Sequence, residues 1–294
     1  MHNQQDCVDF KEKKVYNKLT RIQYRITTNY QLLEWRRLFM DNIGFIVSMA
    51  SYSKRIETIH ICLDSLFSQT RKPQKIILYL DESVDVNHLP NNIIPFIAKG
   101  LEIVQVSSKL KAHNKYFYVF SEYANTIIIT VDDDVVYDKN LFYNLIESYK
   151  KFPDAISAAR VHYVTFDEEH KICPYQNWLF EYSNLLTPSM RLFATGVGGI
   201  LYPPNIMPKE VLDSSLINDL SLNADDIWLK FMQIKENIPV VWSRQKPSHP
   251  PQIKGTKDVA LYNVNRVLND KYIKNLTDYF NLDLYKNLSG RGMK

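Results

Sequence analysis

The chain has 294 residues, 45% of them hydrophobic and 23% charged, with a formal net charge of +4. That length admits one large domain with appendages, and the proportions exclude a disordered or fibrous chain. The mild charge excludes the dense basic stripe of a nucleic-acid binder, so no nucleic-acid partner is expected.

Cys7, Cys62 and Cys173 are odd in number and far apart, which excludes a disulfide framework and a zinc pattern and points to a reducing cytoplasm. No apolar run approaches the roughly 20 residues needed to span a bilayer, so the protein is expected to be cytoplasmic. Residues 1–43 form a basic block. Lys11, Lys13, Lys14, Lys18, Arg21, Arg25, Arg36 and Arg37 are interleaved with Val15, Leu19, Ile22, Ile26, Leu32 and Leu33 at partly helical spacing. Two readings stand for it: an appendage with solvated charges, or an arm touching the anionic inner membrane surface.

A regular pattern begins at Gly44. Phe45–Met49 reads as a buried first strand, and Arg55–Phe67 as an amphipathic helix with Ile56, Ile59, Leu63, Leu66 and Phe67 on one face. Lys75–Leu80 is a second strand closed by Asp81, Asn91–Lys99 a short helix, and Leu101–Val106 a third strand. Lys115–Tyr123 is a helix leading into Thr126–Val131, a β-branched run that reads as a buried fourth strand. This alternation predicts an α/β fold, a Rossmann-like mainly parallel sheet with flanking helices. A helix over Asn140–Lys151 and a strand over Ala155–Val164 follow, and then the pattern dissolves from Asp167 to Arg191. Beyond the glycine-dense Thr195–Tyr202 stretch, a helix is expected to open at Pro208–Leu212, a stronger one is expected over Ala224–Ile234, and Val240–Trp242 reads as a short strand. The domain is expected to run from 44 to 255, with a nucleotide-binding half at 44–137, an acceptor half at 138–255 and a helical extension at 256–294.

Asp132, Asp133 and Asp134 end the fourth strand. Three adjacent carboxylates repel one another without a counter-charge, and in open α/β sheets ligands bind beyond the carboxyl ends of strands. A divalent cation bridging to a polyphosphate would supply that charge. A calcium loop is excluded, because Tyr137 and Tyr143 stand where it needs Gly and Glu. The plainer alternative is a solvated turn or a helix cap. A second acidic pair, Asp225–Asp226, opens a predicted helix, and Asp226 has the position of a general base with Asp225 beside it. His249, between the polar loop and Pro250, is a candidate further metal ligand. Lys115 is a candidate for pairing with a diphosphate, and Trp178, Tyr182 and Trp228 for a platform under a sugar. No Gly-x-x-x-x-Gly-Lys or Gly-x-Gly-x-x-Gly loop is present, so side chains and a metal must hold any nucleotide.

Taken in order, Ser48-Met49-Ala50-Ser51-Tyr52, Asp81, Asp132-Asp133-Asp134, the Gly196–Gly199 loop and Ala224-Asp225-Asp226 resemble the GT-A-fold glycosyltransferases, in the inverting family-2-like group of bacterial surface-polysaccharide synthesis. The resemblance implies that Ala50, Ser51, Tyr52, Arg55 and Asp81 bind the nucleoside of a UDP-linked sugar, with Lys115, Asp132 and Asp133 on the rest of the donor. It implies Asp132 and Asp134, with His249, on a manganese or magnesium ion. It implies Asp226 as base with Asp225 beside it, and Trp178, Gly198, Gly199 and Trp228 near a glycan or lipid-linked acceptor. A sugar nucleotidyltransferase and a non-catalytic cation-dependent carbohydrate- or membrane-binding module are the competing expectations.

Overall fold

The computed structural model of the chain describes residues 43–244, 249–256 and 259–289. The chain divides into two units, Met1–Ile43 and Gly44–Lys294, and the second is described here. The basic block read at 1–43 lies, but for Ile43, outside the described residues.

Four parallel strands form one side of the sheet. They are β1 (Phe45–Ser51), β2 (Lys75–Asp81), β3 (Leu101–Val106) and β4 (Ile127–Thr130), connected through α1 (Ile59–Phe67), α2 (Ile94–Ala98) and α3 (Asn114–Glu122). The order 3-2-1-4 follows from right-handed crossovers that carry each helix over a sheet face. β1 and β4 are mainly apolar and buried along nearly their whole length because both of their faces are covered. α1 buries Ile59, Cys62, Leu63 and Leu66, the i, i+3, i+4, i+7 stripe that its sequence prescribes. It is shorter than its apolar spacing predicts, because Arg55 to Thr58 form turns ahead of the first helical residue.

Beyond β4 come α4 (Leu141–Lys151), β5 (Ile156–Ala158), β6 (Val161–Tyr163), β7 (Leu192–Ala194) and β8 (Ile200–Tyr202). These are followed by α5 (Ser214–Leu220), α6 (Asp225–Lys235), β9 (Val240–Trp242), α7 (Val259–Phe280) and α8 (Leu284–Ser289). The sheet continues 4-8-5-9, with β8 antiparallel to both neighbours and β5 parallel to β9. The stretch Ala155–Val164, expected as one strand, is two. β5 stays in the main sheet, while β6 turns away after Arg160 to pair with β7. The expected helix at Pro208–Leu212 is a short 3-10 turn over Lys209–Leu212 ahead of α5. The larger apolar core lies on this side, where Trp178, Phe193, Trp228 and Phe231 meet Ile273, Leu276, Leu284 and Leu288 of α7 and α8. Cys62 and Cys173 are free thiols. Among the described residues no helix is long and apolar enough to cross a membrane.

Candidate active site

Because β1, β2 and β4 are parallel neighbours, their carboxyl ends open onto one edge. Asp81, closing β2, accepts the Ser83 N–H at 3.0 Å and also the Ser83 hydroxyl, while Ser83 Oγ accepts the Ser53 N–H at 3.1 Å. The ends of β1 and β2 are thereby tied together beside half-buried Ala50 and Tyr52.

The three acids after β4 have three different surroundings. Asp133 is buried, accepting from the Ser51 hydroxyl and the Arg55 guanidinium. Burial raises its pKa despite those partners. Asp134 shares Arg55, its Oδ2 lying 3.1 Å from Nη1, and burial together with the charge of Asp132 lifts its pKa to about 6. Asp132 pairs through Oδ1 with the Lys115 ammonium at 2.7 Å, and its backbone is clasped from behind. The Asp132 N–H donates to the Tyr137 hydroxyl at 2.8 Å, which in turn donates to Val197 O at 3.1 Å.

Lys115 also reaches the second acidic pair, with Asp225 Oδ2 2.7 Å from Nζ. Its side chain is 7% exposed. Burial alone would favour the neutral amine, but Asp132 and Asp225 outweigh it and keep the ammonium charged. Burial likewise opposes ionisation of Asp225, and Lys115 overcomes it, holding that pKa below the usual carboxylate range. Among the described residues no ion pair reaches Asp226. Its two oxygens each accept the Gly196 N–H at 3.0 Å, and burial, with Asp225 next to it, pushes its pKa up to about 7. Neither acid caps α6: the N-cap residue is Ala224, and both carboxylates lie in the first helical turn.

The donor set fits a hard divalent cation. Lys115 engages one oxygen of Asp132 and Arg55 one oxygen of Asp134, and among the described residues no ion pair occupies the other oxygen of either. Magnesium-type sites take one or two carboxylates and complete their shell with phosphate and water. Consistent with so few protein ligands, no three of His, Cys, Asp and Glu stand together as a metal cage among the described residues.

The surroundings of several expected site residues are as follows. His249 is not gathered with Asp132 and Asp134: its N–H donates to Glu181 Oε1 at 3.2 Å, and its Nδ1 lies 2.7 Å from Pro250 O. Lys115, expected on a diphosphate, is paired with the carboxylates of Asp132 and Asp225. Arg55, expected at the nucleoside, lies over the Tyr52 ring with its guanidinium on Asp133 and Asp134, where it organises the acidic loop. Asp133 supports that loop from inside, as does Ser51. Trp178 and Trp228 are core residues whose indole N–H groups donate to Cys173 O and Val211 O, so neither offers a face to a sugar. Tyr182 stacks on Tyr163. Gly198 permits backbone packing, since a Cβ there would meet Arg160 Cβ at 2.5 Å, and Gly199 takes φ +91.

Two features were missed in the sequence. Tyr137 entered only as a residue that spoils a calcium loop. Arg160, whose Nε lies 3.2 Å from Glu181 Oε1 and whose Nη1 donates to Thr195 Oγ1 at 3.0 Å, borders the glycine loop. The available signal was a lone charge interrupting the apolar Ala155–Val164 run.

The model of the family described as glycosyl transferase family 2 matches residues 46–207. No curated protein sequence matches the chain. Among solved structures, the mannosyltransferase PcManGT from Pyrobaculum calidifontis, in complex with GDP-Man and Mn2+, aligns at 11% identity and TM-score 0.49, covering 88% of this chain and 75% of that one. TarS 1-349 from S. aureus, in complex with UDP, aligns at 13% identity and TM-score 0.46, covering 85% and 76% respectively. The 4-diphosphocytidyl-2C-methyl-D-erythritol synthase of Anaerococcus prevotii aligns at 13% identity and TM-score 0.45, covering 77% and 99%.

Proposed function

The chain belongs to glycosyl transferase family 2, and from that premise we propose that it moves a sugar from a UDP-linked donor to a hydroxyl of a glycan or lipid-linked acceptor, with inversion. The setting proposed is bacterial surface-polysaccharide synthesis in the cytoplasm, at the inner face of the membrane. The single observation that supports this reading best is the convergence of two carboxylate sites on one ammonium, 2.7 Å from Asp132 and 2.7 Å from Asp225.

In this reading Ala50, Tyr52 and Asp81 border the nucleoside at the ends of β1 and β2. Asp132 and Asp134 would hold manganese or magnesium, which when bound neutralises charge on the departing diphosphate. The acceptor oxygen forms its bond to the anomeric carbon as the bond from that carbon to the diphosphate oxygen breaks. Asp226 accepts the acceptor's proton, and the Gly196 N–H keeps its carboxylate in place. With a pKa of about 7, Asp226 is ionised above neutrality, so transfer rises with pH through that region and falls below it. Asp225, held ionised by the Lys115 ammonium beside its Oδ2, is the less suited of the pair to take a proton.

The test is a panel of nucleotide-sugars in thermal denaturation, with and without Mn2+, followed by transfer assays on Asp226→Asn. The variant is expected to keep donor-dependent stabilisation and to lose about 100- to 10,000-fold in rate, the range for a positioned proton acceptor. Normal transfer by Asp226→Asn would remove it as the base. Absence of Mn2+-dependent stabilisation by every nucleoside diphosphate would overturn the transferase reading and favour a binding module. Stabilisation by nucleoside triphosphates, with pyrophosphate release, would identify a nucleotidyltransferase.

A further inference from the structure

Lys115 is fixed from both ends. Its carbonyl accepts the Ser48 hydroxyl of β1 at 2.5 Å, and neighbouring Asn114 donates through Nδ2 to Ser107 O at 2.9 Å. Its ammonium then spans two elements with different neighbours: β4 pairs with β1 and β8, whereas α6 packs on α7 and β7. Asp132 follows the first and Asp225 begins the second. The space around the ammonium is closed. A Cβ on Gly196 would lie 2.5 Å from Lys115 Nζ and 3.0 Å from Asp226 Oδ1, so this glycine backs directly onto both groups.

A buried ion pair is a weak source of stability, because apolar groups of the same shape serve as well or better. A buried ammonium held between two carboxylates, with Asp225 14% and Asp132 27% exposed and Asp226 beside them, therefore needs another explanation than stability. A lysine suits the geometry, because a compact ammonium can sit between two carboxylates where a planar guanidinium would spread them.

We propose that Lys115 is a positioning residue: by tying Asp132 of the donor side to Asp225 of the acceptor side, it sets where Asp226 stands relative to the bound donor. The proposal rests on the transferase reading above. Lys115 itself touches neither substrate. Loss of the bridge lets the start of α6 drift from the end of β4, and displacements of about 1 Å in a reacting geometry cost on the order of 100-fold in rate.

The experiment uses the full chain and the nucleotide-sugar that stabilises the wild type most. It measures donor dissociation constant by calorimetry, and kcat and KM from nucleoside diphosphate release. The variants are Lys115→Met, Lys115→Arg, Asp225→Asn and the Lys115→Met/Asp225→Asn double. Lys115→Met is expected to bind donor within a few-fold of wild type and to lose on the order of 100-fold in kcat with KM little changed. The double variant, which leaves no orphaned charge at Asp225, is expected to regain thermal stability without regaining kcat. If Lys115→Met does not fold, Lys115→Arg decides, since it keeps the charge and alters the spacing: a fall in kcat of about ten-fold or more at unchanged donor affinity supports the role. Wild-type kcat in either folded variant, or kcat restored together with stability in the double, overturns it. A wild type that binds donor but releases no nucleoside diphosphate overturns the transferase reading and this role together. An active wild type with indifferent Lys115 variants overturns this role alone.

Discussion

The two halves of the domain, Phe45–Thr130 and Ile156–Trp242, position their acidic residues by different means. From Phe45 to Thr130, strands of four to seven residues alternate with helices, and the acids sit at strand ends where neighbouring strands are parallel. From Ile156 to Trp242 the strands are three residues each, β8 runs antiparallel to its neighbours and β6 to β7, and much of the packing is done by aromatic rings such as Tyr175, Trp178, Phe180 and Phe193. In the first half regular backbone places the chemistry. In the second half the core places it, because α6 carries Asp225 and Asp226 on the same helix that buries Trp228 and Phe231. On the function proposed above, the difference teaches where each half is vulnerable: donor binding to the loss of a carboxylate, acceptor chemistry to the loss of packing.

Trp228→Ala is the strongest way to break that comparison. Truncating this fully buried side chain is expected to cost about 3–5 kcal/mol in denaturant unfolding, with donor affinity per folded molecule retained. Donor affinity falling in step would mean that the halves are one unit energetically. Asp134→Asn is the counterpart on the donor side. It is expected to leave unfolding without ligand nearly unchanged and to abolish the Mn2+-dependent part of UDP stabilisation, about 2.7 kcal/mol at a ligand concentration of about 100 times Kd. Thermal scans with UDP, with and without Mn2+, measure it.

A pH series sharpens the contrast further. The folded-state pKa of Asp226, about 7, lies above its ordinary value of 3.8, so between these values the folded chain binds more protons than the unfolded chain. Its contribution to stability is therefore present at low pH and lost as pH rises through that window. Asp226→Asn should accordingly stabilise the protein most above pH 7 and not below about pH 4, as read from melting temperatures across that range. The smallest effect is expected at Leu186, an exposed acceptor-half residue, where Leu186→Ser should change unfolding free energy by no more than about 0.5 kcal/mol.

The legible parts of the sequence were those written in local periodicity. β1 to β4, α3, α4 and α6 follow from uninterrupted β-branched runs or 3.6-residue spacing, and the triple Asp marks its own strand end. β7 and β8 were not legible, because three residues carry no period and their pairing partners are distant in sequence. The residue types of the site were legible too, but their partners were not. Nothing around Asp133 in sequence tells that Ser51 and Arg55 will enclose it, and nothing near Lys115 tells that Asp225 will stand opposite. Trp178 and Trp228 misled for a related reason: an aromatic ring in a polar stretch has the same composition whether it lines a cleft or closes a core.

The antiparallel seam between β4 and β8 has a consequence for the order in which the molecule forms. β1 to β4 and their helices all lie within Phe45–Thr130, the leading part of the domain, so they can assemble while the rest of the chain is still being synthesised. The seam joins Thr130 to Ile200 and must wait for the long Asp167–Arg191 excursion to be enclosed, and α6 follows it. Lys115 and Asp132 are thus together before Asp225 arrives, and the ammonium that receives α6 is in place as a template for the last part of the site to fold.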